Sequence, residues 1–309
     1  MRFESLLYFV VTADCHSMSD ASEVLHLSHQ CISRELKSFE DEIGPTLFSR
    51  SKKGVNLTEE GKIVYRQARD IIKRYQSLET LFHNDNSESH SIAYYTGLKE
   101  IVEETQELLL LLHPTLFFTE FNLSSGRSLE FIKNGQTDFI VTQISKYIYP
   151  DIANDDYEAS VLYQEPLLVA LHKSKYMPNI KRFDLENLKY YPIAFFIENT
   201  DEVPLYHRIA QQFGWAKIAY NGNDHDKLWR KASEEGACLL ATGSTNITPA
   251  YKDDFIFLPI KQDIKINTCL FCKKDLFHTA IGNELAYVLK LKLKRSIEKR
   301  KNNTSKDDK

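Results

Sequence analysis

The chain has 309 residues, 42% apolar and 27% charged, with a formal net charge of −4. That length suits two or more ordinary domains, and the composition is that of a globular protein, not of a disordered or fibrous one. No apolar run approaches the ~20 residues that cross a bilayer, and Glu4 ahead of the first apolar stretch, with no small-residue cleavage site, argues against a signal peptide, so a cytoplasmic location is expected.

Residues 3 to 13 predict a first helix, because Leu6, Phe9, Val10 and Ala13 recur at i, i+3, i+4 and i+7. Ser17 to Glu40 then reads as two short helices around a break at His26-Leu27-Ser28. Ala21, Val24 and Leu25 mark the first, with Ser19 as its expected cap. Ile32, Leu36, Phe39 and Ile43 form the apolar stripe of the second, which Ser28 caps. Two short helices joined by a three- or four-residue turn have the geometry of a helix-turn-helix. Opposite the stripe stand His29, Gln30, Ser33, Arg34 and Lys37, donors for base edges or phosphates, with Glu35 as the one acid nearby. An ordinary pair of core helices has the same periodicity, so the flanking sequence must separate the two readings.

Gly44-Pro45 breaks the chain, Leu47 and Phe48 return to the core, and Arg50 to Leu57 predicts a tight hairpin with Gly54 in its turn. Its bases, Arg50, Lys52 and Lys53, suit phosphate as a wing beside the helix-turn-helix. Thr58 caps a long helix whose Val64, Ala68, Ile71, Tyr75, Leu78 and Phe82 follow a heptad seam. A stripe over ~25 residues, or ~37 Å, outruns any core available in the first ninety residues and predicts a second copy of the same helix, hence a homodimer. The net acidity does not count against nucleic acid: from Arg50 to Arg74 eight bases face three acids, a compact positive stretch.

The pattern S-x-S-x-A-S-x-x-L-x-L-S, then I-S-R-x-L-x-x-F-E, I-G-x-x-L-F-x-R and L-T-x-x-G, resembles the N-terminal domain of the LysR-type transcriptional regulators. It is carried by Ser17, Ser19, Ala21, Leu25, Ser28, Ile32, Ser33, Leu36, Glu40, Gly44, Leu47, Phe48, Arg50, Leu57, Thr58 and Gly61. The family usually has Gln then Pro or Ser where this chain has His29 and Gln30, and Ala where it has Cys31, so a different base preference is expected. The resemblance implies the same dimer and a C-terminal domain that binds a small-molecule effector.

Asn84 to Ser91 holds no apolar residue and reads as a hinge. Beyond it strands and helices alternate: a strand at 92–95, a helix at 99–112, a strand at 116–121, a helix at 128–133 and a strand at 138–142 make a βαβαβ unit with a parallel sheet. A second set follows: strands at 166–171 and 193–197, helices at 206–213 and 227–235, and a strand from Cys238. Return strands at 255–259 and 265–271 and a closing helix at 280–293 complete the half. Its element order, with pieces such as T-D-F-I-V and E-E-G-A-C-L-L, is similar to the LysR-type effector domain, which is built like a periplasmic binding protein. Ligands in such folds sit at the carboxyl ends of strands, and here those positions are Thr96, Ser125, Thr142 and Thr242, whose hydroxyls suit a small carboxylate or serve as plain turn caps. Cys15, Cys31, Cys238, Cys269 and Cys272 are odd in number and predict no disulfide framework. The lone C-x-x-C at Cys269 lacks the second pair a structural zinc site needs.

The expected fold class is therefore α/β with an N-terminal all-α winged helix-turn-helix domain and a two-lobed α/β effector domain. The expected divisions are 1–58 for DNA binding, 59–83 as dimerisation helix, 84–91 as hinge and 92–293 as effector domain. The lobes of the last are 92–162 with 267–293, and 163–266; a charged tail occupies 294–309. The expected function is sequence-specific binding of an interrupted palindrome in double-stranded DNA by a homodimer or homotetramer, modulated by a small-molecule effector. No catalytic residue, metal, cofactor or membrane contact is expected. An α/β enzyme is the rival, but G-x-S-x-G, G-x-x-x-x-G-K-[ST], H-E-x-x-H and G-x-G-x-x-G do not occur. A ligand-binding protein with a non-reading helix-turn-helix is the third reading.

Overall fold

The computed structural model describes residues 2–304, apart from 52–53, 83–87, 124–127, 129, 132–133, 145–155, 178, 197–204, 215–216, 223, 244 and 246–248. Two compact units emerge: Met1–His90 with Glu103–Thr119 and Ala280–Lys292, and Ser91–Val102 with Glu120–Thr279 and Leu293–Lys309.

The first unit opens with α1 (Phe3–Cys15), α2 (Met18–Val24) and α3 (His29–Ile43). Their predicted apolar faces meet: Phe9, Ala21, Ile32, Leu36 and Phe39 are all buried. The ring of Phe9 lies 5.4 Å from that of Phe39 and 5.2 Å from that of Phe48, so one aromatic cluster joins α1, α3 and the strand that follows. Ser17, not Ser19, caps α2. Ser17 has the extended backbone a cap needs, and its hydroxyl accepts from the Asp20 N–H at 3.2 Å. Ile43 stays exposed, because α3 runs past the edge of its core.

The hairpin forms as predicted from β1 (Phe48–Ser51) and β2 (Gly54–Leu57), antiparallel with Phe48 opposite Leu57. Gly54 has φ +123°, and a Cβ there would overlap the carbonyl of His16, which accepts the Val55 N–H at 2.9 Å. The residue that ends α1 thus fixes the turn end of the hairpin. Thr58 then caps α4 (Glu59–Phe82), accepting the Gly61 N–H at 2.9 Å. The predicted seam on α4 divides. Ala68, with Ile72, is buried against the chain's own core, whereas Ile71, Tyr75 and Leu78 are exposed along with Ile63. The core reaches further along α4 than the heptad spacing implies, because α1 packs on it; the side chain of Phe82 lies outside the described residues.

The rest of the chain supplies β3 (Glu88–Tyr95), α5 (Lys99–Leu112), β4 (Leu116–Leu123), β5 (Phe139–Ile144), β6 (Tyr157–Pro166) and β7 (Leu168–His172). Then come β8 (Ile193–Phe196), α6 (Leu205–Phe213), β9 (Ile218–Gly222), α7 (His225–Glu235) and β10 (Leu239–Ala241). The last elements are β11 (Phe255–Pro259), β12 (Lys265–Lys273) and α8 (Ala280–Thr304). One sheet has the order β4-β3-β5-β12-β6. The β3–β5 pair is parallel, and β12 returns antiparallel between β5 and β6. A second sheet, β10-β7-β11, is antiparallel, and a third pairs β8 with β9 in parallel. Apolar cores flank these smaller sheets, with Trp229 of α7 set edge-on to Phe255 at 5.2 Å.

Several expectations need correction. The segment read as a hinge is already strand from Glu88, because polar side chains still find partners there: Ser91 bonds to Asp138, and the His90 ring lies 6.4 Å from that of Phe118. Thr142 lies inside β5, not after it, since pairing with β12 carries the strand on to Ile144. β6 and β9 lack clean alternation, so the sequence does not predict them. The charged tail is helical through Thr304, an extension of α8 that still buries Leu293 and Ile297.

Candidate nucleic-acid interface

The geometry of α3 follows from its first turn. The Ser28 hydroxyl accepts the Cys31 N–H at 3.1 Å, and no acid stands in that turn. Helix N-termini of this kind favour anions. His29 and Gln30 are exposed in the same turn; Ser33 is half-buried one turn on; Arg34 and Lys37 are exposed beyond it. Ile32, Leu36 and Phe39, at 1% exposure or less, hold the opposite face. The helix is thus two-sided, and the chain presents its polar side to solvent.

Two acids of α3 are spoken for. Glu40 turns back to the loop, and one of its carboxylate oxygens accepts the Leu47 and Phe48 N–H groups at 2.7 and 3.0 Å. Glu35 accepts from the guanidinium of Arg2 and stands 4.0 Å from that of Arg34. Arg50 is exposed on β1, beside this face in sequence order, while Lys52 and Lys53 lie outside the described residues.

The basic stretch is partly absorbed internally. Lys62 pairs with Glu59 at 2.6 Å. Arg69 donates to the Tyr65 hydroxyl at 2.9 Å and to Glu107 at 3.0 Å, and Tyr65 donates to Asp14. Burial raises the Asp14 carboxyl and the Tyr65 phenol. Burial also opposes the charge on Arg69, but the Tyr65 hydroxyl and the neighbouring carboxylates outweigh it and hold the guanidinium charged. Arg69 therefore fastens α4 and is not a free phosphate contact; Arg66, Lys73 and Arg74 remain exposed.

Of the hydroxyls singled out in the C-terminal half, those of Thr142 and Thr242 lie within the described residues, beside different sheets. Thr96 opens a single 3-10 turn directly after β3, but its side chain, like all of Ser125, lies outside the described residues. Thr142 is 1% exposed and its hydroxyl has no hydrogen-bond partner among the described residues. Thr242 follows β10 and belongs to the other sheet; its N–H donates to the Thr245 hydroxyl at 2.7 Å. Sequence reasoning missed Glu165, a carboxylate on β6 with 3% exposure, close enough to Gly243 that a Cβ there would lie 2.9 Å from its oxygen. An acid inside the apolar frame of L-x-x-E-P-L was the available signal. Burial pushes the thiols of Cys238, Cys269 and Cys272 up to about 12, so all three stay protonated at neutral pH. Among the described residues no group of His, Cys, Asp or Glu is placed to hold a metal, and no helix is long and apolar enough to cross a membrane.

Residues 3–62 match the family profile described as bacterial regulatory helix-turn-helix protein, lysR family. These residues are a LysR-family helix-turn-helix domain. Relatives agree: the nitrogen assimilation regulatory protein nac of Escherichia coli is 37% identical over 84 residues, 27% of this chain and 28% of that protein. The HTH-type transcriptional regulator BsdA of Bacillus subtilis is 36% identical over 150 residues, 46% of this chain and 50% of that one. The chain thus spans about a quarter to a half of the length of these LysR-type relatives. Solved structures match over nearly the whole chain. A peroxide-bound mutant of OxyR from Corynebacterium glutamicum has a TM-score of 0.55 at 13% identity, over 98% of this chain and 96% of that one. Full-length BenM has a TM-score of 0.52 at 17% identity, covering 96% of each. At such identities the likeness speaks of the fold alone: an N-terminal helix-turn-helix domain followed by a two-lobed α/β domain, as in full-length LysR-type regulators.

Proposed function

We propose that the chain is a sequence-specific DNA-binding transcriptional regulator of LysR type, cytoplasmic, whose activity a small-molecule effector modulates. The observation that carries the reading is the two-sided α3: buried Ile32, Leu36 and Phe39 on one face, and an exposed face of His29, Gln30, Arg34 and Lys37 behind a capped, acid-free N-terminus. A helix of this shape fits the major groove, where Gln suits adenine and Arg and Lys suit guanine or phosphate. Arg50, with Lys52 and Lys53, grips the flanking backbone. Ile71, Tyr75 and Leu78, exposed along α4, pair with a second copy, with Val64 and Phe82 extending the seam, and so set two reading helices on one interrupted palindrome. The chain acts as a dimer or tetramer and catalyses no reaction. In the C-terminal half, the buried and unpartnered hydroxyl of Thr142 supports a polar effector best, with Thr96, Ser125 and Thr242 as further contacts.

Selection of bound duplexes from a random library by the full-length protein, near physiological salt, tests the reading. The expected result is an interrupted palindrome with half-sites about one helical turn apart. Enrichment of nothing, with binding that vanishes on adding salt, overturns it. On the enriched site Gln30→Ala loses ~1–3 kcal/mol of discrimination at one base pair. Arg50→Ala weakens matched and scrambled duplexes alike and lowers the salt slope by about one. Equal loss on both duplexes for Gln30→Ala overturns its role as a reader.

A further inference from the structure

We propose that Arg2 is a positioning residue of the reading helix: its guanidinium occupies the Glu35 carboxylate and so leaves Arg34 free to face DNA. The inference rests on the DNA-reading role of α3 set out above. Between Ser28 and Phe39, α3 carries two cations, Arg34 and Lys37, and one acid, Glu35. The Glu35 side chain is only 15% exposed, yet one of its oxygens lies 4.0 Å from the Arg34 guanidinium, which is 78% exposed. Left alone, that carboxylate has an obvious partner on its own helix. Pairing with it would draw Arg34 back from solvent and cancel its charge.

Arg2 prevents this. It stands at the N-cap of α1 in an extended conformation, and its side chain makes no capping bond there. Instead it crosses to α3 and donates to Glu35. One cation from outside the reading helix thereby satisfies the acid within it. A carboxylate near the phosphates also opposes binding by simple repulsion, and Arg2 offsets that as well.

The test is a mutant cycle of full-length protein: wild type, Arg2→Ala, Glu35→Gln and Arg2→Ala/Glu35→Gln, with Arg2→Lys as the conservative variant. Each is titrated with a random-sequence duplex at ~50 and ~200 mM salt, and melting temperatures are measured alongside. Arg2→Ala is expected to weaken binding about tenfold at the lower salt and less at the higher, because screening shrinks the effect. Glu35→Gln in that background restores affinity to within about twofold of wild type, and Arg2→Lys keeps most of it. An equal loss for Arg2→Ala with and without Glu35→Gln overturns the proposal, since Arg2 then touches phosphate itself. A fall in melting temperature with unchanged affinity overturns it too, as a purely structural pair. Wild-type protein that binds no duplex overturns the reading of α3 and this inference with it; wild-type binding with an additive cycle overturns only the role of Arg2.

Discussion

The helix-turn-helix domain and the α/β half that follows it are held to their folds by different means. In the first, single residues carry several obligations at once. Glu40 belongs to α3 but holds the N–H groups of Leu47 and Phe48. Gly61 opens α4 because a Cβ there would overlap the Leu47 carbonyl. Thr58 caps that helix while its hydroxyl donates to the Thr46 carbonyl at 2.8 Å. Moving any of them by one position breaks two elements. In the α/β half, sheets of mixed direction are covered by apolar clusters in which many residues are interchangeable. Solved structures at 13% to 17% identity share the fold over nearly the whole chain. A small domain specifies itself through positions and a large one through pattern.

The largest effect that follows is on Phe9. It is fully buried and its ring meets those of Phe39 and Phe48, so Phe9→Ala removes the contact common to three elements. The expected loss is ~3–5 kcal/mol in chemical denaturation followed by far-ultraviolet circular dichroism. A loss under about 1 kcal/mol would mean that the small domain repacks as freely as the large one. Next comes Glu40→Ala, which strands two backbone N–H groups and costs ~1–3 kcal/mol. Hydrogen exchange gives the sharper reading: the Leu47 and Phe48 amides should exchange faster, and Glu40→Gln, which keeps an acceptor, should restore much of their protection. Unchanged exchange at both amides removes Glu40 from the list of residues with a second obligation.

The same contrast governs what the sequence discloses. The three N-terminal helices, the hairpin and the exposed side of α3 are legible because apolar spacing there matches burial almost residue by residue: Leu6, Phe9, Val10, Ile32, Leu36 and Phe39 all face inward. The Arg2–Glu35 pair is not legible, because it joins residues 33 positions apart and neither belongs to a pattern. In the α/β half the parallel β3–β5 pair and the helix of α5 follow from alternation, but β6 does not. Val161 lies exposed on it, Glu165 is buried, and a register shift opposite Thr268 and Cys269 breaks the period of two. The start of β3 is hidden for a different reason. Its first residues are polar, so hydropathy marks them as a break, and only pairing with distant partners makes them strand.

That strand start gives the smallest and most specific prediction. The Asp138 carboxylate accepts the Ser91 N–H at 2.8 Å, the Ser91 hydroxyl at 3.0 Å and the Lys273 ammonium at 2.9 Å. Burial alone would raise this carboxyl, but the bonds from Ser91 and Lys273 outweigh it and hold the group below the ordinary carboxylate range. A depressed acid gives the fold its full stabilisation where it is ionised in both states. Its contribution is therefore complete above the unfolded value of about 4 and is lost as the pH falls through the lower folded value. Lys273 is raised, first by its bond to Asp138, so its share persists until the pH climbs past about 10. Both side chains are partly exposed and screened, which limits the pair to about 1 kcal/mol. Asp138→Asn should therefore cost little at pH 7 and flatten the acid limb: between about pH 5 and 3 wild type loses more stability than the variant. Denaturation midpoints across that range measure the difference. Parallel curves would mean that Ser91 is held in the strand by its backbone pairing alone, and that polar residues at the head of β3 add nothing the apolar pattern had not already supplied.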